Sequence, residues 1–100
     1  MKATWNGAVI AEAPQKDLIR IEGNWYFPPS SIARSYYSDS AVHTECFWKG
    51  TASYYDVMVD GKTNDGAAWY YTEPKAGSVD RVGKDFKDYV AFWRGVEIGE

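Results

Sequence analysis

Apolar and polar positions alternate with a period of two along much of the chain, and turn dipeptides cut the alternation at short intervals. Asn6-Gly7 separates Ala3–Trp5 from Ala8–Ala11. Asn-Gly suits the two positive-φ positions of a tight turn, so this segment predicts a hairpin. Ala13–Asp17, interrupted by Pro14, reads as a loop. Leu18–Glu22 sets Ile19 and Ile21 on one face and Arg20 and Glu22 on the other, and Gly23-Asn24 turns it into Trp25–Phe27 as a second hairpin.

Pro28-Pro29-Ser30-Ser31 breaks the pattern, and either serine can cap a short helix over Ile32–Tyr37 with Ile32, Tyr36 and Ala33 as its buried stripe. Ser38-Asp39-Ser40 ends it. Val42–Lys49 is a strand closed by Gly50, and Ser53–Val59 is a strand with Tyr55, Val57 and Val59 on one face and Tyr54, Asp56 and Met58 on the other. Asp60-Gly61 turns the chain, Ala67–Thr72 returns, and Pro74 stops it. Lys75–Lys87, charged and holding glycines, reads as a long loop. Tyr89–Trp93 and Val96–Ile98, joined through Arg94-Gly95, supply the last two strands. Roughly eight short strands and one short helix predict a mainly β domain over residues 1–100, an open barrel or a sandwich.

Composition supports the strands. The chain has one Leu, and Leu, Ile, Val and Phe together make 18 residues, few enough to raise the question of disorder. A net charge of only −3 and the presence of 5 Trp and 8 Tyr answer it: the core is aromatic and β-branched, which suits a pleated sheet. The mild charge, with Arg20, Arg34, Arg81 and Arg94 scattered, predicts no nucleic-acid partner. The longest apolar run, Ala67–Tyr71, is five residues, too short to cross a membrane or to form a signal-peptide core, so a cytoplasmic location is expected. One Cys and one His cannot make an internal disulfide or a self-contained zinc site, so no metal or cofactor is expected.

Five blocks carry a resemblance: Trp5-Asn6-Gly7; Glu22-Gly23-Asn24 with Tyr26-Phe27-Pro28; Cys46-Phe47-Trp48-Lys49-Gly50 with Ala52 and Tyr54-Tyr55; Ala68-Trp69-Tyr70-Tyr71 with Pro74; and Val90-Ala91-Phe92. In this order they span almost the whole chain, which resembles the domain-of-unknown-function 427 (DUF427) family. The resemblance implies a compact fold similar to the β-tent of type-B methionine sulfoxide reductases. Many β-tent proteins hold zinc with paired Cys-x-x-Cys motifs, and this chain has none. The family has also been filed under a nucleotidyltransferase-like label. That chemistry usually needs two carboxylates at i and i+2 on a strand to hold magnesium, and no predicted strand carries such a pair.

Candidate chemistry is sparse. Lys49 before Gly50 can be aimed into a cleft to hold an anion or, if desolvated, to act as a base; otherwise it is a solvated charge at a strand end. Glu22, Asn24 and Tyr26 offer a carboxylate, an amide and a phenol around one turn, a set able to orient a small polar ligand, although Gly23-Asn24 is also ordinary turn chemistry. Trp48, Trp69 and Tyr71 form either an aromatic wall or simply core. Cys46 is the only thiol; His43 lies three residues away and so on the opposite strand face, which favours an inert, mostly buried Cys over a nucleophile. On regular alternation Cys46 shares a face with Trp48, and Phe47 with Lys49; a bulge at Gly50 is expected to mix the two, with Cys46 mostly buried at the cleft floor and Lys49 at its rim.

Two functions follow. One is a domain that binds a small polar or anionic ligand in a cleft built from Glu22, Asn24, Tyr26, Cys46, Trp48 and Lys49. The other is a non-catalytic interaction or structural domain, whose exposed edge strands could pair two copies into a homodimer. A Cys46-dependent enzyme and a nucleotidyltransferase rank below both.

Overall fold

A computed structural model describes residues 1–100. Nine strands build it: β1 (Lys2–Trp5), β2 (Ala8–Glu12), β3 (Ile19–Ile21), β4 (Asn24–Tyr26), β5 (Tyr37–Cys46), β6 (Gly50–Val59), β7 (Lys62–Tyr71), β8 (Ala91–Phe92) and β9 (Glu97–Gly99). They form three antiparallel sheets, β2-β1-β9, β3-β4 and β5-β6-β7-β8, and no closed barrel. The mainly β reading of the sequence is thus correct. The hairpins at Asn6-Gly7 and Asp60-Gly61 turn where expected, with positive φ at all four residues.

The sheets are stitched by short bridges. Phe27 and Val90 exchange both backbone hydrogen bonds, at 2.8 and 2.9 Å, which joins the end of the β3–β4 hairpin to the residue just before β8. Ala11 pairs with Ile32 and ties β2 to the segment after Pro29. One apolar cluster, with Ile10, Phe27, Val57, Val90 and Phe92, fills the space between the first and last sheets. A second is smaller and more aromatic: Ile19, Ile21, Tyr26, Ala52, Tyr71, Phe86 and Ala91. The candidate site stands on this second cluster.

Two sequence expectations are corrected. The predicted helix over Ile32–Tyr37 is absent; 3-10 turns at Pro29–Ser31 and Arg34–Tyr36 flank an extended Ile32, and the strand β5 already begins at Tyr37. Tertiary pairing decides this. The Ala33 N–H and the Tyr37 hydroxyl both donate to the Ile10 carbonyl, at 2.9 and 2.8 Å, and Ser31 Oγ donates to the Pro28 carbonyl instead of capping a helix. Conversely, the expected loop Lys75–Lys87 contains the one α-helix, α1 (Ala76–Val82). Val79 and Val82 pack it onto the second cluster, and Gly83, at φ +86, ends it in the left-handed conformation favoured at helix C-termini.

Candidate functional site

Two tight turns and the helix α1 bring the site together. The β3–β4 hairpin pairs Ile21 with Asn24, so its two-residue turn is Glu22-Gly23, one residue earlier than expected. Both turn residues have positive φ, +53 and +83. The right-handed twist of the flanking strands favours this turn, but holding a non-glycine residue such as Glu22 there costs roughly 1–2 kcal/mol. The second turn, Phe47–Lys49, joins β5 to β6 and closes on Gly50 at φ +116. Because these residues leave the strand, regular alternation of Cys46 and Trp48 against Phe47 and Lys49 does not hold, and the expected floor and rim are exchanged: Lys49 is buried and Cys46 only half-buried. The Lys49 carbonyl accepts the Lys75 N–H at 3.0 Å, and Lys75 Nζ donates to the Phe47 carbonyl at 2.8 Å, so the start of α1 is fastened to this turn.

Lys49 ends up 6% exposed, and its ammonium pairs with the Glu22 carboxylate. Nζ lies 5.3 Å from the centroid of the Trp48 ring and 5.4 Å from that of Tyr71, close enough for cation–π attraction to both. Arg81, on the last turn of α1, places its guanidinium 4.4 Å from the same Trp48 ring. Beneath them Tyr26 is fully buried; its hydroxyl accepts the Trp69 indole N–H at 3.0 Å, and its ring stands edge-on to Trp69 and Phe86, each at 6.2 Å. Two cations thus flank one indole, and the carboxylate that pairs with Lys49 is 53% exposed.

The titration of these groups follows from the packing. The hydrogen bond from Lys49 holds the Glu22 carboxyl below its ordinary value against a smaller opposing effect of burial, with help from the Trp48 indole and Arg81. Burial alone would push the Lys49 ammonium down, but the Glu22 hydrogen bond and the facing Tyr26 and Tyr71 phenols reverse this, and its pKa rises. Burial raises Tyr26, opposed by its hydrogen bond from Trp69. Burial likewise pushes Tyr71 up to about 12, against the pull of the Lys49 charge. The Glu22 partner and the facing phenols thus favour the charged form of Lys49.

The family model described as a domain of unknown function, DUF427, matches residues 1–98. The chain belongs to the DUF427 family. No match was found among curated proteins. Within this DUF427 chain the structure brings Glu22, Tyr26, Trp48 and Lys49 together, with Trp69 and Tyr71 as the aromatic wall around them. Asn24 lies on β4 opposite Ile21, half-buried, and its side chain makes no hydrogen bond. Cys46 ends β5, is half-buried and packs against the second cluster. His43 bonds Ser53 Oγ through Nδ1 at 3.2 Å, on the exposed part of the β5–β6 ribbon. None of the four surface hollows is lined by Glu22 or Lys49, so the pair forms a packed box at the surface in place of the expected cleft. Nowhere do three His, Cys, Asp or Glu side chains converge as metal ligands would, and no helix is long and apolar enough to cross a membrane.

Arg81 is the site residue that sequence reasoning missed, because it rides on the unrecognised helix. A signal existed: Ala76, Val79 and Val82 recur every third residue between Pro74 and Gly83, which is helical spacing with a start and a stop.

Proposed function

We propose that this DUF427 chain binds a small anionic ligand, and that the Lys49 ammonium and the Arg81 guanidinium, on either side of the Trp48 indole, are its receptor. The carrying observation is the charge balance of the box. Glu22 pairs with Lys49, whereas Arg81 makes no ion pair, which leaves one unpaired cation beside the Trp48 indole on a protein whose net charge is −3. Glu22 is half exposed and held on a strained turn, so it is the group that yields when an incoming carboxylate or phosphate claims the donors. Lys49 is desolvated and keeps its charge, which strengthens its attraction for an anion over that of a surface lysine. Tyr26 sits beneath as a neutral phenol whose position Trp69 fixes. Catalysis is not part of this reading.

The test is a fluorescence titration, with Trp48 as the reporter. Phosphate, acetate and citrate are added to the wild-type chain, to Lys49→Met and to Arg81→Gln, with chloride as the control for ionic strength. A saturable change with at least one of the three anions, weakened in Arg81→Gln and lost in Lys49→Met, supports the reading. Identical responses in all three proteins would falsify it.

The interaction reading has one observation of its own. Phe47 is 88% exposed at the tip of the β5–β6 turn. It stands beside the anion box, and a partner seated there would cover both.

A further inference from the structure

One surface hollow lies away from the Lys49 box, between the β5–β6 ribbon and the turn that follows β8. It measures about 200 Å³. Its position follows from an irregularity in β7. The β6–β7 register shifts between Tyr55 and Val57, and opposite the shift β7 passes through Asp65 and Gly66, with Gly66 at φ +62. Asp56 holds this bulge by accepting the Gly66 N–H at 2.7 Å. Gly66 returns its own carbonyl to the Trp93 indole N–H at 2.6 Å. Bulges re-aim side chains and backbone groups, and this one fixes a large aromatic ring against the hollow.

Trp93 is 44% exposed although its N–H is bonded and its ring is braced edge-on by Trp69 at 5.6 Å and, at a tilt of 33°, by Tyr54 at 6.3 Å. A rigid, half-exposed indole in a concave site is an unfilled contact surface. The polar groups around it are also unfilled. Asp65 and the Arg94 guanidinium both line the hollow, and neither side chain makes a hydrogen bond or an ion pair. Arg94 only leans over Trp93, 4.7 Å from its centroid. The Thr44 and Tyr54 hydroxyls, which also line the hollow, bond each other at 2.9 Å, and each retains acceptor capacity.

We infer that this hollow is a binding site for a neutral sugar ring. One free carboxylate and one free guanidinium make the site neutral, which disfavours a simple anion or cation. An occupant must offer both donors to Asp65 and acceptors to Arg94, and an apolar face to Trp93 and Tyr54. A pyranose does all three: its hydroxyls donate and accept, and its axial C–H groups present an apolar patch that packs on an aromatic ring. The site is separate from the Lys49 box, so it neither requires nor excludes the anion reading.

The experiment follows tryptophan fluorescence and, in parallel, the Trp93 indole N–H signal by NMR, as glucose, galactose, mannose, N-acetylglucosamine and cellobiose are added at millimolar concentration. At least one of these sugars is expected to shift Trp93 saturably. Trp93→Ala removes the response, but it also removes a bond to Gly66 and can harm the fold. Asp65→Ala and Arg94→Asn are therefore the deciding variants: neither side chain holds the structure, Asn tolerates the left-handed backbone at position 94, and each weakens binding at least tenfold. Lys49→Met leaves the response unchanged. No saturable shift with any of the five sugars overturns the proposal, as does binding that survives both Asp65→Ala and Arg94→Asn. A response to the planar anion benzoate in place of the sugars also overturns it and points to an aromatic acid.

Discussion

Lys49 is buried and Glu22 is half exposed, yet the two form one ion pair. The asymmetry sets different costs for losing each partner. Glu22→Ala strands a buried ammonium and is expected to destabilise the fold by about 1–3 kcal/mol, less than for a fully buried pair because water still reaches the site. Lys49→Met keeps the apolar stem and leaves only an exposed carboxylate, so it is expected to cost less than about 1 kcal/mol. Urea unfolding of both variants checks the order, and a larger loss for Lys49→Met would contradict it.

The same pair predicts a pH window. The Glu22 pKa is depressed in the fold, so its contribution is present above the ordinary value of 4.5 and fades as pH falls through the lower folded value. The Lys49 pKa is raised, so its contribution is complete below 10.5 and fades as pH rises through the higher folded value. Tyr71 adds to the alkaline side, because it stays protonated up to about 12 in the fold but ionises from 10.0 when unfolded. The difference in Tm between wild type and Glu22→Ala should be flat between these limits and shrink on the acid side. A difference that grows on acidification would count against the assignment.

Gly50 and Gly23 separate two kinds of glycine. Both have positive φ, but a side chain at Gly50 would also meet the Glu73 carbonyl at 3.2 Å, whereas at Gly23 nothing lies within 4 Å. Gly23→Ala should cost about 1 kcal/mol from the backbone alone, and Gly50→Ala about 2–3 kcal/mol, with displacement of the turn that carries Lys49. Equal urea midpoints for the two variants would show that the contact with Glu73 gives way freely.

Cys46 should react with a small thiol reagent more slowly in the native chain than in the urea-unfolded one, since it is half-buried against the second cluster. Its neighbour of suitable chemistry, His43, is engaged by Ser53. Native modification that outpaces the unfolded chain would signal an activated thiolate and reopen a catalytic role.

Much of this was readable along the chain, and the failures share a cause. Hairpins at Asn6-Gly7 and Asp60-Gly61 are written locally, in residues whose backbone preferences match the turn. The convergence of Glu22, Tyr26 and Lys49 followed from two neighbouring turns and one strand. The region from Pro28 to Tyr37 failed because Ile32 pairs with Ala11, twenty-one residues away, a partner that no local pattern names. Arg81 failed because helix α1 is short and carries Gly77 inside it, so its apolar spacing was outweighed by its glycines and charges. Trp93 carries no sequence mark that sets it apart from the other four tryptophans, which are all half-buried, because its indole is fixed by the Gly66 carbonyl, twenty-seven residues away.

The most direct test of the central claim is a phosphate titration followed by NMR on the isotope-labelled chain. The account predicts saturable shifts concentrated at the Lys49 and Arg81 side chains, the Glu22 carboxyl and the Trp48 indole N–H, with Trp93 unmoved. Shifts that are linear in phosphate, or that gather elsewhere on the surface while these four groups stay still, would contradict it.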